Sequence, residues 1–237
     1  MRQIRRHVKD KSKTYAPYVY EVARTLRMFF KDFAHYNKKN PLNELVFIIC
    51  STRTAESSYL ATYQRLRERF QTNELLARAD ASVIARQLER GGLAQQKART
   101  IRRLMGSLSD RFGRPTLSPA HAMHDAELEN LLLGLPGVGK KVARCVMMYS
   151  FRRKVFPVDT HCCRIVRRLG WVHPVSKSAI CSDKEIDRIQ ARIPPNLRFS
   201  LHVNMVSLGR AICKSRKPRC NICPVLQYCR YGNRKRK

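Results

Sequence analysis

Apolar residues recur at three- and four-residue steps along almost the whole chain. Val19, Val22, Leu26, Phe29 and Phe33 form one stripe, Tyr59, Tyr63, Leu66 and Phe70 a second, and Ile101, Leu104, Met105, Leu108 and Phe112 a third. That period predicts amphipathic helices, each burying one face, and the stripes read as core rather than as cofactor contacts. The run Glu44 to Cys50 is apolar on all sides and follows Asn40-Pro41, a cap residue and a first-turn proline, which predicts a buried helix rather than a strand. Asp80 and Ser182 mark further helix starts, and Gly91-Gly92, Gly113 and Gly170 mark stops. Alternating strand patterns of useful length and internal repeats are both lacking, so the predicted class is all-α. At 237 residues and 43% hydrophobic content the chain can form one domain or two small ones.

Charge changes the picture. The formal net charge is +31, and the pI is near 10.6. Such an excess implies a polyanionic partner, nucleic acid first. A membrane surface is the rival, and it lacks support from a long apolar span, a lipidation signal or a bulky amphipathic helix. The basic ends, Met1 to Thr14 and Tyr231 to Lys237, are expected to fray. Met1 to Lys13 is not followed by an export-type apolar core, which argues for an intracellular protein. With that setting, the nine cysteines are expected to be reduced.

Four of those cysteines cluster. Cys213, Cys220, Cys223 and Cys229 are separated by six, two and five residues. Four thiolates in so short a loop can enclose an iron–sulfur cluster or zinc. Zinc sites usually show two tight pairs and only Cys220 and Cys223 are close, so the spacing favours a [4Fe–4S] cluster and leaves zinc open. Cys50, Cys145, Cys162, Cys163 and Cys181 show no ligand spacing and read as small core residues.

Mid-chain lies Leu135-Pro136-Gly137-Val138-Gly139-Lys140-Lys141, between an apolar helix ending near Leu133 and the run Val142 to Tyr149. Gly137 and Gly139 permit a tight turn and a close approach by a ligand, and the next helix offers its free N–H groups there. A phosphate is one occupant, and an ordinary helix–helix turn is the alternative. Eighteen residues after Lys141, Asp159 precedes the helix-like run Cys162 to Leu169, at an N-cap position where the dipole favours an ionised carboxylate.

Taken together, the hairpin, Val158-Asp159-Thr160-His161 and the four-cysteine loop resemble the endonuclease III family of helix-hairpin-helix DNA glycosylases, over about residues 40 to 229. The resemblance turns the cysteine reading toward [4Fe–4S]. It implies a six-helix barrel domain at about 38–152, a cluster domain from 1–37 plus 153–237, and a DNA cleft between them. It also implies that Lys141 is the nucleophile and Lys140 a phosphate contact, with Asp159 as the carboxylate partner. The amine would attack the sugar C1′, expel the base, and form a Schiff base that permits β-elimination. Attack needs the neutral amine, and Lys140 with other cations is expected to push the Lys141 pKa down.

The resemblance further implies duplex DNA with a flipped damaged base as partner, and wedge residues at Arg53 and Leu93. Here the chain departs from the pattern, because members acting on oxidised pyrimidines carry glutamine at the Arg53 position and aspartate at that of Glu56. Arg53 is either a reader of the opposite strand or a plain phosphate contact. Lys214, Arg216, Lys217 and Arg219, inside the cysteine loop, are implied DNA contacts. The expectation is a monomeric bifunctional glycosylase/AP lyase for damaged pyrimidines. A mismatch-directed thymine or uracil glycosylase and a non-catalytic structure-specific DNA-binding protein are the alternatives, and an adenine glycosylase is disfavoured by the lysine.

Overall fold

A computed structural model describes residues 15–33, 36–174, 176 and 178–234. Twelve α-helices and five short 3-10 turns make up the described regular structure, as the apolar periods require. Among the described residues, no helix is long and apolar enough to cross a membrane. The chain divides into two compact units: the described parts of Met1–Lys31 and Thr160–Lys237 form one, and those of Asp32–Asp159 the other.

The Asp32–Asp159 unit holds α2 (Pro41–Ser51), α3 (Glu56–Arg69), α4 (Asn73–Arg78), α5 (Ala81–Leu88), α6 (Ala94–Phe112), α7 (Asp125–Leu133) and α8 (Lys140–Tyr149). α2 packs against α3, α6 and α8, which explains why it carries no polar face. Its start follows from local chemistry: the Asn40 side chain accepts hydrogen bonds from the N–H groups of Leu42 and Asn43, with Pro41 in the first turn. A cap of this kind contributes about 1 kcal/mol. Ile101, Leu104, Met105 and Leu108 on α6 are fully buried against this core, at Leu45, Leu66 and Leu132 among others. Buried Arg144 on α8 meets Glu129 of α7 at 2.7 Å, fixing the two helices that flank the glycine turn.

The other unit comprises α1 (Val19–Phe30), α9 (Thr160–Leu169), α10 (Asp183–Ala191), α11 (Arg198–Ala211) and α12 (Arg230–Arg234). α1 and α9 both pack on α11, and α12 packs on α9. The α9–α11 approach is close: a Cβ on Gly209 would lie 2.5 Å from the His161 ring. Arg167 of α9 forms a two-point pair with buried Glu185 of α10, at 2.8 and 2.7 Å.

Three expectations change. The first stripe stops short, because α1 ends at Phe30 and Phe29 and Phe33 are exposed. Cys163 and Cys181 are joined in a disulfide rather than reduced, since the chain after α9 turns back and brings their Cα atoms to 6.1 Å. The basic C-terminal end is helical from Arg230 to Arg234, packed on α9; the N-terminal basic segment lies outside the described residues.

Candidate active site

The turn between α7 and α8 is built on one glycine that the backbone demands. Gly137 has φ +78, and a Cβ there would stand 2.5 Å from Thr100 Cγ2. Gly139 is different. It sits at the N-cap of α8 with φ −95, and a Cβ there would meet open space. No side chain caps α8, and its first two residues are Lys140 and Lys141, cations at the positive end of a helix dipole. That arrangement destabilises the helix start and leaves its N–H groups for an anion.

Lys141 is partly buried on the first turn of α8. Its ammonium titrates above the usual lysine value, the reverse of the expected direction. The Cys145 sulfur, one turn along and hydrogen-bonded to it, contributes most; burial opposes, and the Asp159 and Glu44 carboxylates add to the rise. The neighbours that matter are anionic groups rather than Lys140. Cys145 is itself pushed up to about 11 by burial, so at neutral pH it is a thiol and the two carboxylates are the counter-charges. Asp159 is the last residue of its unit, immediately before α9, which starts at Thr160 rather than Cys162. Glu44 is fully buried on α2; it accepts a hydrogen bond from the Asn37 side chain and one from the Lys38 N–H at 2.6 Å, and burial raises its pKa. Lys141, Asp159 and Glu44 thus form one ionic group within this unit.

The two proposed wedge positions share a backbone signature. Arg53 has φ 51 and Leu93 has φ 54, left-handed conformations that cost a non-glycine residue about 1–3 kcal/mol. Both are exposed, Leu93 at 45%. Lys97 lies behind them, 3% exposed on α6. Its Nζ donates to the Cys50 carbonyl at 2.8 Å, the Gly91 carbonyl at 2.8 Å and Thr54 Oγ1 at 2.7 Å. One ammonium therefore ties the Arg53 loop to the Leu93 loop.

In the other unit the cysteine loop is pinned from α9. Arg164 donates to the Cys213 carbonyl at 2.9 Å. Arg168 donates to Cys213 Sγ at 3.1 Å, the Lys214 carbonyl at 2.8 Å and the Ser215 carbonyl at 3.0 Å. The Gly232 N–H points at Cys229 Sγ, 3.5 Å away. Burial pushes the Cys223 thiol up to about 11, and the nearby sulfurs of Cys213, Cys229 and Cys220 add to the rise. All four are unpaired. Lys214, Arg216, Lys217 and Arg219 are exposed along this loop, with Lys217 at φ 47.

Residues 46–191 match the family described as HhH-GPD superfamily base excision DNA repair protein. The chain belongs to this superfamily. It is 30% identical over 212 residues to endonuclease III of Thermotoga maritima, covering 89% of this chain and 93% of the relative. It superposes on a non-covalent endonuclease III–DNA complex with a TM-score of 0.76 at 26% identity, covering 92% of this chain and 97% of the other. A trapped covalent endonuclease III–DNA intermediate matches with the same TM-score and identity, over 92% and 96% of the two chains.

Three groups of this HhH-GPD chain were not picked out from sequence. Glu44 carried a signal, as the one acidic residue in an otherwise apolar run. Lys97 carried a weaker one, since it interrupts the α6 stripe one step before Ala98. Arg164 and Arg168 stand four apart on α9, a spacing that places both on one helix face.

Proposed function

We propose that this HhH-GPD protein is a monomeric DNA glycosylase with AP-lyase activity that excises oxidised pyrimidines from duplex DNA. The observation that carries the reading is Lys141 at the start of an uncapped helix, with Asp159 and Glu44 as its counter-charges. A DNA phosphate occupies the α8 N-terminus and is met by Lys140 and the Gly137–Gly139 backbone. Leu93 and Arg53, both exposed, fill the gap left by the flipped nucleotide.

Lys141 rests as an ammonium, so it must first lose a proton, and Glu44, whose carboxyl burial holds above its ordinary value, is the acceptor in its ionic group, which leaves Asp159 ionised. Its nitrogen then forms a bond to C1′ as the bond from C1′ to the base breaks and the base leaves with a proton. Ionised Asp159 stabilises the positive charge that builds on the sugar. The sugar ring opens to a Schiff base on Lys141. Loss of a C2′ proton expels the 3′ phosphate, and water frees the lysine.

The donor set in the cysteine loop fits a [4Fe–4S] cluster: four free thiols within one short loop, one with a guanidinium and one with a backbone N–H directed at sulfur. Cys213, Cys220, Cys223 and Cys229 would hold it, and its role would be structural. Thiolate formation and binding offset the cost of burying these groups. The loop so pinned presents Lys214, Arg216, Lys217 and Arg219 to phosphates.

The test is a panel of duplexes, each with one defined lesion. Excision of an oxidised pyrimidine followed by a β-elimination nick is expected. Preference for thymine or uracil opposite guanine would replace the lesion assignment, and binding without cleavage on every duplex would replace the enzyme reading.

A further inference from the structure

α9 carries Arg164, Arg167 and Arg168, and α12 carries Arg230 and Arg234. All five line one cavity of about 400 Å³ within the unit that holds the cysteine loop. Their compensation is uneven. Glu185 takes Arg167 in the two-point pair already described. Arg164 donates to the carbonyls of Cys213, Gly209 and Thr160, which orient its guanidinium without neutralising it. Arg168 does the same with Lys214 and Ser215, and its guanidinium also donates to the Cys213 sulfur. Arg230 and Arg234 are exposed and form no ion pair with a described residue.

Setting Arg167 against Glu185, and leaving Arg168 to its bonds with the cysteine loop, still leaves Arg164, Arg230 and Arg234 facing one cavity. Like charges held together repel, and an anion entering between them removes that repulsion. The planar guanidinium fork favours phosphate, whose oxygens it can grip in pairs. Tyr231 supplies an aromatic wall, with the Arg168 guanidinium 4.6 Å from its ring centroid. A cavity of this volume has room for a small phosphoanion.

We propose that this arginine cavity is a phosphoanion-binding site that uses none of the residues assigned to catalysis, wedging or the exposed cysteine-loop contacts. The phosphate comes either from a free small phosphoanion or from the backbone of a DNA strand, and one variant distinguishes the two. Arg230→Ala/Arg234→Ala removes two of the three unbalanced charges from a five-residue terminal helix, leaving the bonds of Arg164 and Arg168 to the cysteine loop in place. Full-length protein with its cluster, checked by visible absorbance, is titrated with inorganic pyrophosphate by calorimetry. Binding to undamaged duplex is measured in parallel across a salt series.

For a free phosphoanion, the wild-type protein binds pyrophosphate saturably, one per chain, and the double variant binds at least about tenfold more weakly. Arg188→Ala, an exposed arginine of α10 outside the cavity, leaves that binding unchanged. For a DNA phosphate, pyrophosphate does not saturate, and the double variant lowers the slope of log affinity against log salt by about one to two. Saturable binding that the double variant leaves intact overturns the proposal. So does the lack of pyrophosphate binding together with an unchanged salt slope. Borohydride trapping on the same preparations reports separately on the glycosylase reading.

Discussion

Replacing Lys97 by methionine removes a buried ammonium while keeping a side chain of similar length. The wild-type Nζ satisfies two backbone carbonyls, those of Cys50 and Gly91, and one hydroxyl, Thr54 Oγ1. Thr54 itself donates to the Thr52 and Gly91 carbonyls, so its hydroxyl and Gly91 keep a partner in the variant. Cys50 lies in the last turn of α2, where carbonyls have no partner further along the helix. Leaving a buried carbonyl unpaired costs about 1–3 kcal/mol, and weakening the second adds about 1 kcal/mol. Losing a cation at a helix C-terminus adds roughly 0.3–1 kcal/mol. Against this, the variant no longer has to desolvate an ammonium, the effect that lowers the Lys97 pKa. The net expectation is a loss of about 2–4 kcal/mol, or a fall in melting temperature on the order of 5–15 °C for a chain of this size. The assay is thermal unfolding together with single-turnover cleavage of two substrates. Excision from a lesion-bearing duplex should slow more than nicking of a pre-formed abasic site, because the ammonium holds the Arg53 and Leu93 loops, the proposed wedge, rather than Lys141. A melting temperature within about 2 °C of wild type, with both rates unchanged, would show that Lys97 does not hold the loops.

The raised pKa of Lys141 sets the sign of the pH profile: the neutral fraction grows tenfold per unit below that pKa, so single-turnover excision should climb between about pH 6 and pH 8 with no fall assignable to the lysine. A flat profile there would show that deprotonation of Lys141 does not limit the rate. Leu93→Gly should relieve about 1 kcal/mol of backbone strain and leave the melting point equal or higher, while excision from intact duplex drops several-fold; a lowered melting point contradicts the strain argument. Gly137→Ala combines a positive φ with a clash against Thr100, and should cost about 2–4 kcal/mol in chemical unfolding, against little for Gly139→Ala; equal costs would refute the distinction between the two glycines.

Most helices were legible because period and caps agreed. Asn40-Pro41 announced α2, and Asp80, Ser182 and Gly113 marked other ends. The first stripe misled because periodicity records apolar spacing and not whether a partner covers the face; Phe29 and Phe33 continue the pattern but are exposed. The disulfide was hidden because Cys163 and Cys181 meet through a change of chain direction after α9, which ligand spacing does not encode. The electrostatics of Lys141 were misjudged for a similar reason. Lys140 is adjacent in sequence, but the counter-charges of Lys141 at neutral pH are Asp159 and Glu44, both far from it along the chain. Hairpin, cysteine spacing and the lysine–aspartate pair were visible as motifs. The buried Lys97 bridge and the arginines behind the cysteine loop depend on tertiary contacts.

The central claim is that Lys141 is the nucleophile, and borohydride trapping tests it most directly. The protein is mixed with a duplex carrying one oxidised pyrimidine and reduced during turnover, and the covalent adduct is located by peptide mapping. A stable protein–DNA adduct on Lys141 is expected, lost in Lys141→Gln, while that variant still binds the duplex through Lys140 and the hairpin backbone. An adduct of undiminished yield in Lys141→Gln, or one mapped to Lys140 or the N-terminal amine, would contradict it.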